Sequence, residues 1–349
     1  MDKYIELLKS LVSIPSLSQN EKEAAGVIRQ FFIDSKVKFY SKDNNTWVRN
    51  RYWKDRLPVI LLNSHIDTVK PASGYSRDPY SADVEDGVLY GLGSNDAGGS
   101  LVTLLAVFMH FNLVENLPFN LIYAATAEEE ISGTNGLASI LRELGSIALA
   151  IVGEPTRMQM AIAEKGLMVL DCTAYGKSGH AARDEGENAI YKAMGDIEKI
   201  RQFSFEKVSS ILGSVKTTVT IINAGSQHNV VPDICSFVVD VRTNEYYSNQ
   251  QAWEILDQLI DSDVKPRSFR LNSSGIPVDH PIVQRGISLG LNYYGSPTTS
   301  DQAVIPFPSI KIGPGDSARS HTADEYIYIS ELEEGFRIYI DLMTNLILA

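Results

Sequence analysis

Val59-Ile60-Leu61-Leu62-Asn63-Ser64-His65-Ile66-Asp67 is a short apolar run that ends in a histidine and an aspartate. Four consecutive apolar residues match a strand buried on both faces, the habit of a parallel sheet covered by helices. Similar runs recur at Leu121-Ile-Tyr-Ala124, Leu149-Ala-Ile-Val152 and Ile310-Lys-Ile312, with helical stretches such as Ser100 to Phe111 between them. The pattern predicts an α/β fold whose sheet is mostly parallel. Upstream, Ser18-Gln-Asn-Glu21 has the form of a capping box. Ala24, Val27, Ile28, Phe31 and Phe32 follow it at helical spacing, so an amphipathic helix is expected to start there.

From about Lys165 to Asn272 the character changes. Met168 to Ala174, Thr217 to Ile222 and Ser236 to Arg242 read as half-exposed strands, with helical stretches near Ala189 to Arg201 and Asn249 to Ile260. This predicts a smaller α+β domain, residues 165–272, inserted into a larger one made of residues 1–164 and 273–349. The last strand and a terminal helix, Ile329 to Leu348, return the chain to the larger domain. A length of 349 residues suits two domains.

Composition narrows the function classes. A net charge of -12 without a Lys/Arg cluster disfavours nucleic acid. No apolar run approaches the roughly 18 residues of a membrane span. The start, Met1-Asp-Lys-Tyr-Ile-Glu-Leu-Leu-Lys9, lacks the pattern of a secretory signal. Cys172 and Cys235 are the only cysteines and form no Cys-x-x-Cys pair, so a cytoplasmic chain without disulfides is expected.

In open α/β sheets ligands bind beyond the carboxyl ends of the strands, and that is where the chemically useful residues fall. His65, the cluster Glu128 to Glu130, Glu154 and the loop from Gly313 to His321 each follow one of the apolar runs. With Asp96 they provide two imidazoles and several carboxylates, a donor set for two zinc ions with open positions; cobalt or manganese suit similar sites. Gly91-Leu-Gly-Ser-Asn-Asp-Ala-Gly-Gly99 looks at first like a dinucleotide loop, but Asp96 stands at the third glycine and would repel a pyrophosphate. Leu89-Tyr90 is also a poor preceding strand, so a flexible loop that aims Asp96 at cations is the better reading. Ala127-Glu-Glu-Glu130 places three carboxylates together, which repel unless a positive charge is near. One can bind a metal while a neighbour stays free as a general base. Asp67 can support His65 only if the chain turns after the strand. Among the remaining histidines, His110 reads as packing and His280 as a loop residue without a partner. His180, in Gly176-Lys-Ser-Gly-His180, and His228-Asn229 are open between turn structure and chemistry.

Taken together, Ser64-His-Ile-Asp-Thr-Val69, Gly91 to Asp96, Thr126 to Glu130, Gly153-Glu-Pro-Thr156, Gly176 to His180 and Gly313-Pro-Gly-Asp-Ser-Ala-Arg-Ser-His321-Thr-Ala-Asp-Glu325 resemble the zinc aminoacylase and carboxypeptidase family. That family includes acetylornithine deacetylase, which the final motif matches best, and succinyl-diaminopimelate desuccinylase. The resemblance implies that His65, Asp96 and Glu154 bind one zinc and that Asp96, Glu130 and His321 bind the other. It makes Glu129 the catalytic base and Asp67 the support of His65. It makes His180 a histidine that reaches a partner subunit's site, and Arg242 with Asn229 the holders of a substrate carboxylate. A homodimer joined through an inserted lid domain is implied, acting on a small N-acyl amino acid in arginine biosynthesis. Dipeptidase, carboxypeptidase and desuccinylase activities use the same machinery. A non-catalytic metal-binding scaffold would have no need of the free Glu129. Two positions depart from the family pattern, Gly98 for the usual Lys and Ser64 for the usual Gly.

Overall fold

The computed structural model describes residues 1–348. The chain forms two compact units: Met1–Ile162 with Gly275–Tyr294 and the chain from Ser300 onward, and Ala163–Ser274 with Gly295–Thr299. In the larger unit the strand Val59–His65 lies between Asn120–Thr126 and Leu149–Val152, parallel to both, and Ser309–Lys311 continues the parallel order beyond Leu149–Val152. All residues of these four strands are buried, which is why each reads as an apolar run. An antiparallel hairpin, Phe39–Lys42 and Asn45–Arg49, extends the sheet beyond Asn120–Thr126. The sheet is therefore mixed but parallel at its centre. The helix Gly99–Phe111 is apolar on nearly every side, and its residues Gly99 to Phe108 are all buried.

Three local expectations are corrected. The helix after Ser18 begins only at Lys22, with Glu21 at its cap and no side-chain cap bond, because the Ser18 hydroxyl donates to the Asp67 carboxylate instead, at 2.7 Å. Ser94–Gly98, expected as a flexible loop, is a tight turn kinked at Asp96 and Ala97, whose backbone angles are not helical, and it leads into the helix Gly99–Phe111. Leu89-Tyr90, read as a poor preceding strand, lies in the short strand Val88–Tyr90, which pairs antiparallel with Tyr326–Tyr328 in a separate three-stranded sheet.

The smaller unit is a four-stranded antiparallel sheet in the order Lys216–Ala224, Ile234–Arg242, Met168–Tyr175, Asp263–Pro266. Alternation sends Met168, Leu170, Cys172 and Ala174, and likewise Cys235, Phe237, Val239 and Val241, to one buried face. The helices Ala189–Gln202 and Asn249–Leu259 supply Ala189, Ala193, Ile200, Ala252 and Leu256 to the same core. Both cysteines are free and face this core, where burial pushes the Cys172 thiol up to about 12. Lys216–Ala224 ends the sheet order and leaves Ile221 and Ile222 half exposed. Among the described residues no helix is long and apolar enough to cross a membrane.

Candidate metal centre

His65 is the last residue of its strand, buried beside Ser64. The chain turns directly after it, so that His65 Nδ1 bonds the main-chain carbonyl of Asp67 at 2.9 Å, while the Asp67 carboxylate stands 3.5 Å away. Asp67 thus supports the imidazole mainly through its backbone. With Nδ1 donating, Nε2 carries the lone pair. That Nε2 is buried and has no hydrogen-bond partner among the described residues. Around it stand Asp96 Oδ1 at 3.4 Å, Glu154 Oε1 at 3.7 Å and Glu129 Oε2 at 4.0 Å. The other oxygen of Asp96 faces His321 Nε2 at 3.7 Å, and Glu130 Oε2 meets the same nitrogen at 3.0 Å.

This donor set fits cations. Ligand atoms held about 2.0–2.2 Å from one tetrahedral zinc lie about 3.3–3.6 Å from each other, close to the spacing of His65 with Asp96 and Glu154. His65, Asp96 and Glu130, and also His65, Glu129 and Glu154, converge closely enough to share an ion. Asp96 turns one oxygen toward each histidine.

The electrostatics reflect crowded charge. Burial lifts the Glu129 carboxyl well above its ordinary value; His65 opposes this, while Glu154, Asp301 and Glu130 add to it. Burial, with Asp96 adding and His65 opposing, raises Glu154 to about 8. For His65 burial favours the neutral ring, but Asp67, Asp96, Glu129 and Glu154 outweigh it and hold the imidazole well above its usual value. The bond to Glu130 raises His321 to about 9. Burial opposes ionisation of Asp96, yet its interaction with His65 leaves it below the ordinary carboxylate value.

The three consecutive carboxylates part ways. Glu128, with a φ of 57°, turns to Asn135, accepting from its main-chain N–H at 3.0 Å and its side-chain amide at 2.8 Å, so only Glu129 and Glu130 face the cluster. Two departures from the family pattern also find their reasons. A Cβ at Gly98 would lie 2.4 Å from the Gly93 carbonyl oxygen, so no side chain fits there without a shift of the turn. Ser64 Oγ donates to the Gly153 carbonyl at 2.9 Å, tying the strand end that bears His65 to the one that bears Glu154.

Several further residues support the centre. Glu325, buried and raised to about 8 chiefly by burial, accepts from the N–H groups of Asn95 and Asp96, both at 2.9 Å. Asn95 receives the Asp316 N–H at 2.9 Å and donates to the Asp316 carbonyl at 3.1 Å, fixing the loop that leads to His321. Asp301, raised to about 6 mainly by burial, accepts from Thr126 Oγ1 at 3.0 Å.

His180, Asn229 and Arg242 belong to the smaller unit. His180 is exposed in a two-residue strand opposite Val230, its Nδ1 accepting from Ala182 N–H at 3.1 Å, and the carbonyl of Asn229 accepts from Ala181 at 3.0 Å. The Arg242 guanidinium is held by Asp240 at 2.8 and 3.0 Å and reaches Thr299 Oγ1 at 3.4 Å. His280 does have a partner, contrary to expectation: it caps the helix Pro281–Ser288 by accepting from Ile282 N–H. His110 stands edge-on to Phe111 and Phe336 at ring distances of 5.1 and 6.1 Å.

Comparison with known proteins identifies the family. The chain is 24% identical to a succinyl-diaminopimelate desuccinylase of Wolbachia sp. subsp. Brugia malayi, over 98% of this chain and 92% of the relative. It is 25% identical to an acetylornithine deacetylase of Myxococcus xanthus, over 92% and 88% respectively. Its fold matches the aminopeptidase PepT of Bacillus cereus ATCC 10987 with a TM-score of 0.78 at 18% identity, covering 98% of this chain and 97% of that one. Residues 61–345 match the profile of peptidase family M20/M25/M40, and the chain belongs to this family of metal-dependent hydrolases.

Proposed function

We propose that this hydrolase cleaves the amide bond of an N-acyl amino acid, N-acetylornithine or a close relative such as N-succinylornithine or the acyl-citrullines, in arginine biosynthesis. The observation that carries the reading is the placement of Asp96 between His65 and His321 with Glu129 beside His65. Two zinc ions, held by His65, Asp96 and Glu154 and by Asp96, Glu130 and His321, would supply Lewis acidity and make water acidic enough to attack near neutral pH. Glu129 takes the proton of the attacking water and returns it to the departing α-amine. His180 from a second copy of the chain donates to the oxyanion. Arg242 and Asn229 hold the substrate carboxylate. Asp240 occupies one edge of the Arg242 guanidinium, through Nε and Nη2, so Nη1, toward Thr299, is the group offered to substrate.

The names of the two relatives support acyl-amino-acid cleavage. The test is amino-acid release by zinc-loaded protein from N-acetylornithine, N-acetylcitrulline, their N-succinyl counterparts and several dipeptides. One acyl substrate is expected to lead in kcat/KM by about a hundredfold, roughly 2.7 kcal/mol of discrimination. A lead for dipeptides would overturn the biosynthetic assignment and leave the metal chemistry standing. The exposed edge strand Lys216–Ala224, with Ile221 and Ile222, is the surface proposed for a homodimer. Sedimentation is expected at about twice 38.5 kDa, and a monomer at all concentrations would remove the dimer and with it the role given to His180.

A further inference from the structure

Each of the three N–H groups of Glu128, Glu129 and Glu130 ends on a carboxylate. Glu128 N–H donates to Glu21 Oε1 at 3.3 Å, Glu129 N–H to Asp67 Oδ1 at 3.1 Å, and Glu130 N–H to Asp67 Oδ2 at 3.1 Å. Asp67 is buried, so its orientation is set by the N–H groups of Glu129 and Glu130 and by one more donor, the Ser18 hydroxyl at 2.7 Å from Oδ2. Ser18 and Glu21 belong to one short segment ahead of the helix Lys22–Asp34. That segment is laid along the loop after His65: Thr68 N–H donates to the Ser16 carbonyl at 2.9 Å, and Leu17 pairs with Thr68 as a parallel bridge.

We propose that Ser18 is a positioning residue for the reaction: acting through Asp67, it fixes the peptide groups of Glu129 and Glu130 and so the place of the base and of a neighbouring ligand. The inference rests on the function proposed above. A carboxylate with donors on both oxygens from one turn, and a hydroxyl on one of them, resists rotation. Without the hydroxyl, Asp67 can pivot and carry the turn with it. A base displaced by about 1 Å loses a large part of its effect, since catalytic groups need placement within about 0.5 Å. Ser18 itself touches none of the reacting atoms. It is partly exposed, which leaves room for the extra methyl of threonine.

The experiment compares Ser18→Ala and Ser18→Thr in the full chain, with metal content measured and kcat expressed per zinc-loaded site on the leading substrate of the panel. Ser18→Ala is expected to lower kcat about tenfold with KM within about twofold, the scale seen when an outer support of a metal site is removed. Ser18→Thr, which keeps the hydroxyl, is expected to stay within about twofold of the parent. Hydrogen exchange read on the segment 127–132 supplies a measure independent of turnover. Exchange there should quicken about tenfold in Ser18→Ala and return to the parent rate in Ser18→Thr, as when a single local bond is lost. Unchanged exchange in Ser18→Ala, undiminished kcat per loaded site, or a threonine variant as impaired as the alanine one would overturn the proposal. Glu129→Ala, run alongside, separates the two levels. Full activity in that variant defeats the proposed mechanism, whereas its inactivity beside a normal Ser18→Ala defeats only the role of Ser18.

Discussion

Glu129→Ala is expected to match the parent in metal content and to lose about 10²- to 10⁴-fold in kcat, the usual share of a general base. The main-chain N–H groups that Asp67 holds, those of Glu129 and Glu130, survive the substitution, so the turn and the Glu130 carboxylate keep their places. His65, Asp96, Glu130, Glu154 and His321 all remain to bind cations. Yet Glu129 Oε2 lies 4.0 Å from His65 Nε2, near enough for Glu129 to be a ligand in its own right. Metal analysis of the purified variant beside its turnover therefore decides the role. Parental metal content with little turnover makes Glu129 the base, loss of metal makes it a ligand, and full activity removes it from the mechanism. Asp96→Ala provides the contrast, since losing the carboxylate between the two histidines should cost metal and activity together.

The metal-free protein is expected to lose stability as pH rises from about 5 to 9, and metal binding at neutral pH is expected to expel protons. Glu154 and Glu325 are raised to about 8 and His321 to about 9, and Glu129 and His65 also shift upward. A group raised in the folded state holds its proton there more tightly than in the unfolded chain. Its contribution is complete below the unfolded pKa and disappears as pH climbs through the folded one. Asp67 and Asp96 shift downward, so their contributions are lost only in acid, outside this window. Cations displace the protons and hold the ligands ionised, which should flatten the dependence. Thermal melts of chelator-treated protein should fall by several degrees across the window, while loaded protein changes little. Calorimetric titration with zinc in two buffers of different ionisation enthalpy counts the protons released. A count of zero, or a metal-free melt that rises with pH, would contradict the arrangement of charges described here.

The legible and illegible parts of the chain divide by range. Strands such as Val59–His65 and Asn120–Thr126 could be read because burial on both faces imposes an unbroken apolar run on adjacent residues. The smaller unit's strands could be read because one covered face imposes alternation, visible in Met168–Tyr175. The hairpin strand Asn45–Arg49 went unread, since five residues with two polar ones at the start give neither signature.

Around the candidate centre, the sequence by itself determined the kinds of side chain and their placement just beyond strand ends. What each one bonds was decided only by the tertiary structure. Ser18 and Glu21 match a helix cap locally, but Ser18 is taken by Asp67, 49 residues away. Glu325 acts on Asn95, 230 residues away, and Glu128 leaves its two neighbours for Asn135. A capping motif is only a local offer of a hydrogen bond, whereas a buried carboxylate deprived of water needs every donor it can reach. Where the two compete, the buried group prevails, and no periodicity in the chain announces it.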